Sequence, residues 1–289
     1  MRFTTILVGT AALLLAVPAI AQTSPTSPDP VPGQDDRPTS PSATGPGTGG
    51  PTAPPRPFTV TVSVTGVSDY RFRGLTRTGG DAAVQGTLDV NTAVGFYIGT
   101  FASSIDGDRR SRTPLLVGYG AQEVDLYGGY TKAVGGVGVD AGLLYYYYPG
   151  GLEGRNTDFF EPYANLSYTL GPVAAKIGAN YAWAGQKGLD FRPNSSDANL
   201  YLYAEGSIGI PRTPLTLKGH AGRTKGSLGL ANLDASKDGY YDWSVTGEAV
   251  GGPIKFGVSY VDTNITEQGG YARRFGRGST VLGYVGLSF

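Results

Sequence analysis

The chain has 289 residues, 23 acidic and 23 basic side chains, and no cysteine. Zero net charge gives no electrostatic argument for nucleic acid, and the absence of thiols excludes disulfides, thiolate metal sites and acylation through cysteine. Glycine and tyrosine are abundant, and beyond the N-terminus there is neither a long helical repeat nor an 18-residue apolar run.

Residues 1–21 read as a cleaved signal peptide. Arg2 gives a weakly basic start, residues 6–17 are apolar, Pro18 breaks the run, and Ala19 and Ala21 supply the small residues of a cleavage site. That apolar core is shorter than the roughly 20 residues a transmembrane helix needs. Residues 22–57 are rich in Pro, Ser, Thr and Gly and almost free of large apolar side chains. Such a segment cannot bury enough surface to offset the entropy of ordering, so it is expected to be a disordered linker, either a tether or a spacer.

From Phe58 the composition changes. Phe58, Val60, Val62 and Val64 alternate with Thr59, Thr61, Ser63 and Thr65, and period-two runs recur down to Phe289. They predict about twelve strands, near 58–68, 82–92, 95–105, 122–133, 137–148, 159–170, 172–184, 198–208, 215–224, 239–250, 253–263 and 280–289. Short Gly/Pro connections alternate with long ones, which is the pattern of an all-β, antiparallel, up-and-down transmembrane barrel spanning 58–289. A sandwich has no reason to alternate so regularly.

Two tests use this layout. Aromatics on the apolar face gather at two levels: Tyr145, Tyr147, Phe160, Tyr181, Trp183, Tyr241, Trp243 and Tyr260 at the long-loop end, and Phe58, Tyr130, Tyr168 and Phe289 at the short-turn end. The opposite face carries Asp89, Glu123, Asp125, Asp140, Glu161, Lys176, Glu205, Lys218, His220, Asp242, Glu248 and Lys255. A charge facing lipid costs several kcal/mol, so these residues are expected to line a wet lumen. The last strand places Val281, Gly283, Val285, Leu287 and Phe289 on one face. It should pair with the first strand to close the sheet, with Phe289 acting as a signal to the barrel assembly machinery.

One local motif follows the first strand: Ser68, Asp69, Tyr70, Arg71, Phe72, Arg73, Gly74. Alternation puts Tyr70 and Phe72 on one side and Asp69, Arg71 and Arg73 on the other, and Gly74 can turn the chain at positive φ. Two readings stand. Arg71 and Arg73 fold inward, pair with lumen acids and narrow the pore; or the motif fixes the first hairpin, or its arginines meet lipopolysaccharide phosphates.

With Ala83-Val84-Gln85-Gly86 in the next strand, and weaker matches at 95–99 and 123–130, the motif resembles the TorF family of proteobacterial proteins assigned as porins. The resemblance spans about residues 60–289 and implies an outer-membrane barrel, without naming a solute. The linker is not part of the family's pattern.

The expected function is a porin-like channel for passive diffusion of small hydrophilic solutes. Arg109, Arg110, Arg112, Arg273, Arg274 and Arg277 make the loops basic, whereas the inner face leans acidic. These fields oppose one another, so weak ion selectivity is expected. A plugged structural or adhesive barrel, and a soluble periplasmic β-sandwich that binds a ligand, are the alternatives. Expected partners are outer-membrane lipid and lipopolysaccharide, with no cofactor, metal or nucleic acid. His220 is the single histidine, and its spacing supplies neither the serine nor the orienting partner of a hydrolase.

Overall fold

Branched and aromatic side chains alternating with Thr, Ser and Gly fit a pleated surface with two different faces. They form twelve wall strands: β1 (Phe58–Val67), β4 (Ala83–Thr92), β5 (Phe96–Gly107), β6 (Gly120–Val134), β7 (Val137–Tyr147), β8 (Phe159–Leu170), β9 (Val173–Ala182), β10 (Asn199–Gly209), β11 (Leu215–Gly226), β12 (Gly239–Gly251), β13 (Ile254–Thr263) and β14 (Thr280–Ser288). Two short strands, β2 (Arg71–Phe72) and β3 (Leu75–Thr76), pair only with each other. The computed structural model describes residues 57–108, 116–152, 157–189, 198–228, 238–265 and 276–289. The signal peptide, the linker up to residue 56, and Arg109, Arg110, Arg112, Arg273 and Arg274 lie outside them.

The wall strands form one closed antiparallel barrel, and β1 closes it between β14 and β4. Ser63 pairs with Ser288 and Val67 with Tyr284 on one side of β1, while Phe58 pairs with Thr92 on the other. Reciprocal backbone bonds between Val62 and Phe289 (2.9 and 3.0 Å) extend the seam. Each strand therefore has both edges satisfied, which is the condition for crossing hydrocarbon.

The outward face is apolar and exposed, as at Val60, Ile98, Leu166, Ile177, Val258 and Val281. At the long-loop end Tyr145, Phe160 and Trp183 stack along neighbouring strands, with ring centroids 4.4 and 6.0 Å apart. At the turn end Phe96, on a strand whose faces the sequence leaves ambiguous, packs 4.9 Å from Tyr130 on the lipid side. The tight turns include Gly135 and Gly136, both at positive φ, which matches the primed two-residue hairpins that suit the twist of the sheet.

Candidate functional site: the lumen and its in-folded hairpin

The structure places Asp89, Glu123, Asp125, Asp140, Glu161, Lys176, Glu205, Lys218, His220, Asp242, Glu248 and Lys255 on the inner face, with Asp89 and Lys255 half-buried and the rest buried. Towards the turn end the charges alternate in sign on successive strands. Lys176 on β9 meets Glu205 on β10 at 2.8 Å, and Lys218 on β11 meets Glu248 on β12 at 2.8 Å. Tyr284 also donates to Glu248 at 2.6 Å. A cavity of about 380 Å³ opens below the Lys218–Glu248 pair.

Tyrosines lie along the inner wall rather than across it. Tyr97, Tyr127, Tyr163, Tyr201, Tyr203 and Tyr284 cover Gly129, Gly99, Gly142, Gly222, Gly178 and Gly257 on adjacent strands, occupying the space a Cβ there would need. Their hydroxyls are held in turn. Tyr97 donates to Asp140 at 2.7 Å and Tyr127 to Asp89 at 2.5 Å, and Asn165 also donates to Asp140 at 2.7 Å.

The long first connection does not stay at the mouth. Residues 69–78 turn into the barrel, and β2 and β3 form a small hairpin there. Its tip is Arg73–Gly74, with φ of 49° and 79°. Gly74 is required because a Cβ would run into Thr263 and Asp242. An arginine at positive φ costs about 1 kcal/mol, so other contacts must hold it there.

Inside the lumen both sides of the hairpin are buried, and Asp69, Tyr70, Arg71, Phe72 and Arg73 are all at most 5% exposed. Asp69 organises the base: it accepts from Arg71 (2.6 Å), Thr76 (2.5 Å) and Thr78 (3.0 Å). Arg71 therefore pairs within the motif, not with a wall acid, and its Nη1 donates to the carbonyls of Gly74, Gly276 and Gly278. Ser68 stays on the wall, where its hydroxyl accepts from the Gly283 amide.

Three other hairpin side chains reach wall acids. Tyr70 donates to Glu123 at 2.6 Å, and Arg77 lies 3.9 Å from the same carboxylate. Arg73 crosses to β8 and meets Glu161 at 2.6 Å, with its guanidinium 4.3 Å above the Tyr201 ring and 4.6 Å from Phe72. Glu123, Glu161, Tyr146 and Tyr201 are completely buried at this level, where the hairpin packs against the wall. Nearby, burial and then the Glu123 carboxylate push the Tyr148 phenol well above the usual tyrosine range.

Two sequence expectations are corrected. Arg277, read as part of a basic mouth, is only 4% exposed and sits beside the hairpin anchor, where its carbonyl accepts from Thr263. Ser244, which spacing did not associate with His220, stands directly across from it on β12. It makes no hydrogen bond to the imidazole, whose nitrogens face Glu205 (3.4 Å), Tyr201 (2.8 Å) and Asp242 (3.2 Å). The imidazole is thus held by two carboxylates and a phenol, and the Ser244 hydroxyl is not among its contacts.

A closed antiparallel barrel of twelve strands, apolar outside and ion-paired inside, is the architecture of an outer-membrane porin. The chain is similar in fold to the NanC porin, at 14% identity and TM-score 0.52, with 79% of this chain and 98% of that one covered. It is likewise similar to the KdgM porin, at 9% identity and TM-score 0.50, with 79% and 99% covered. No curated protein matches the sequence. The chain belongs to the Gcw_chp family, described as a bacterial protein of unknown function, whose model matches residues 51–286. That match begins within the Pro-rich stretch, a few residues before the barrel.

Proposed function

We propose that the protein is an outer-membrane channel for passive diffusion of small hydrophilic solutes, weakly ion-selective, whose bore is limited by the in-folded hairpin. The observation that carries this reading is the polar, ion-paired inner face of a closed barrel whose outer face is apolar. Twelve strands enclose more space than wall side chains need to fill, since about eight are just filled. Alternating Lys–Glu pairs leave little net field at the turn end, which supports weak selectivity. The likeness of residues 68–74 and 83–86 to the TorF family, and the porin neighbours, support the same assignment and an outer-membrane location. Export would use the segment 1–21, and assembly would use β14 with Phe289. Lipid and lipopolysaccharide would surround the apolar face.

The second reading, a plugged structural or adhesive barrel, is favoured by one observation: all of the hairpin's side chains except the half-buried Leu75 and Arg77 are buried. Conductance in planar bilayers separates the two. The channel reading expects small, discrete steps from the intact protein, and larger ones when residues 70–77 are replaced by a short Gly-Ser turn. Steps absent from the intact protein and present only after that replacement would establish the plugged barrel.

A further inference from the structure

Three buried acceptor atoms surround the hairpin tip without a hydrogen-bond donor among the described groups. Arg73, Tyr146 and Asn180 all donate to Oε2 of Glu161, at 2.6, 3.1 and 3.4 Å. Its Oε1 accepts nothing. Asp242 is one-sided in the same way: Oδ1 takes Tyr201 at 3.0 Å, while Oδ2 is buried and takes nothing. The third atom is Oδ1 of Asn180. Glu161 and Asn180 have no solvent exposure and Asp242 has 1%, so water from the bulk does not reach them. A buried acceptor left unmatched is costly, and such a group calls for an explanation.

These atoms converge on one chemistry. Arg73 joins them: its guanidinium pairs with Glu161 and lies over Tyr201, whose hydroxyl binds Asp242, and the adjacent Gly74 packs against Asp242. A planar cation over an aromatic ring, rimmed by carboxylate and amide oxygens, is how a guanidinium is held. Resting on the channel reading, we propose that this is a solute site, occupied in this structure by the chain's own Arg73. The solutes it selects are small organic cations of the guanidinium class. Arg73 acts as a tethered occupant that a free cation displaces.

Two further features fit. Arg73 is held at positive φ, which weakens the tethered occupant relative to an unstrained free cation. Along β4–β8 no inward position is Lys or Arg, whereas Asp89, Glu123, Asp125, Asp140 and Glu161 all point in. Glu123 and Glu161 are met by Arg77 and Arg73 of the hairpin, so the acidic approach to the tip is the turn-end stretch that carries Asp89 and Asp140. On the opposite wall Glu205 and Glu248 hold Lys176 and Lys218, and Lys255 lies at the turn end, away from the tip.

The test is a reversal potential across planar bilayers holding the full-length protein, with methylguanidinium chloride on one side and sodium chloride on the other. The expected permeability ratio of methylguanidinium to sodium is at least about threefold; both ions carry one charge, so the preference comes from the Tyr201 ring and the planar pairing with Glu161, which suit a guanidinium better than a hydrated sodium ion. Glu161→Gln and, independently, Asp242→Asn should bring the ratio towards one, and Arg73→Gln should raise sodium conductance. A wild-type ratio at or below one, measured on resolved steps, overturns the cation site and leaves the channel standing. Conductance and ratio unchanged in every folded variant would make Arg73 a structural brace only and overturn the proposal. No steps in any salt, from intact or variant protein, would remove the channel reading and this inference with it.

Discussion

The wall and the hairpin are both antiparallel sheet, yet they are held by different means. A wall strand is fixed by long ladders on both edges; β1, for example, pairs ten residues with β4. Its lumen charges are met by the neighbouring strand, as Lys176 is by Glu205. The hairpin pairs only two residues with two, and it stays in place through Glu123, Glu161, Gly276 and Gly278, far away in the chain. The wall is thus a cooperative object, whereas the hairpin is an attachment that can change without loss of the barrel.

Substitutions that pull the two apart sharpen this contrast. Lys218→Met should have the largest effect, because it leaves Glu248 buried beside Tyr284 without its cation; the expected loss is about 3 kcal/mol. A urea titration in detergent, followed by heat-modifiable mobility, measures it, and an unshifted midpoint would mean that the wall pairs do not hold the barrel. Gly74→Ala should cost less, about 2 kcal/mol confined to the hairpin, since it adds a Cβ against Thr263 and Asp242 at positive φ. Here the barrel should still fold while its conductance rises; global unfolding would show that the hairpin belongs to the wall. Phe289→Asp should have the smallest effect on stability, at most about 1 kcal/mol at an interface position. Even so, it should lower the folded fraction in the outer membrane more than it changes conductance. Normal folded levels would make Phe289 a wall residue with no role in assembly.

The same division explains what could be read from the sequence. Wall strands announce themselves because the pleat forces period two, and because lipid and lumen demand opposite chemistries on alternate residues. The predicted strands accordingly fall within a few residues of the observed ones, including the closing pair of β1 and β14. The motif from Ser68 to Gly74 stands out by composition, and Gly74 at a turn follows from its freedom at positive φ. That Arg73 meets Glu161, 88 residues away, while Arg71 stays with Asp69, does not follow from any local pattern. The pairing of His220 with Ser244 is hidden for a related reason: it depends on the register between β11 and β12, which alternation leaves free to shift by two.

The tyrosines resting on glycines bear on how wide such a conduit can be. A phenol ring beside a residue with a side chain has to stand up into the bore; the same ring beside glycine lies down and becomes lining. The free cross-section is therefore governed less by how many tyrosines the chain carries than by what sits opposite each on the next strand. Adding a single methyl group at Gly178 or Gly257 would tilt Tyr203 or Tyr284 inward, so the diameter is adjustable one ring at a time without touching a tyrosine.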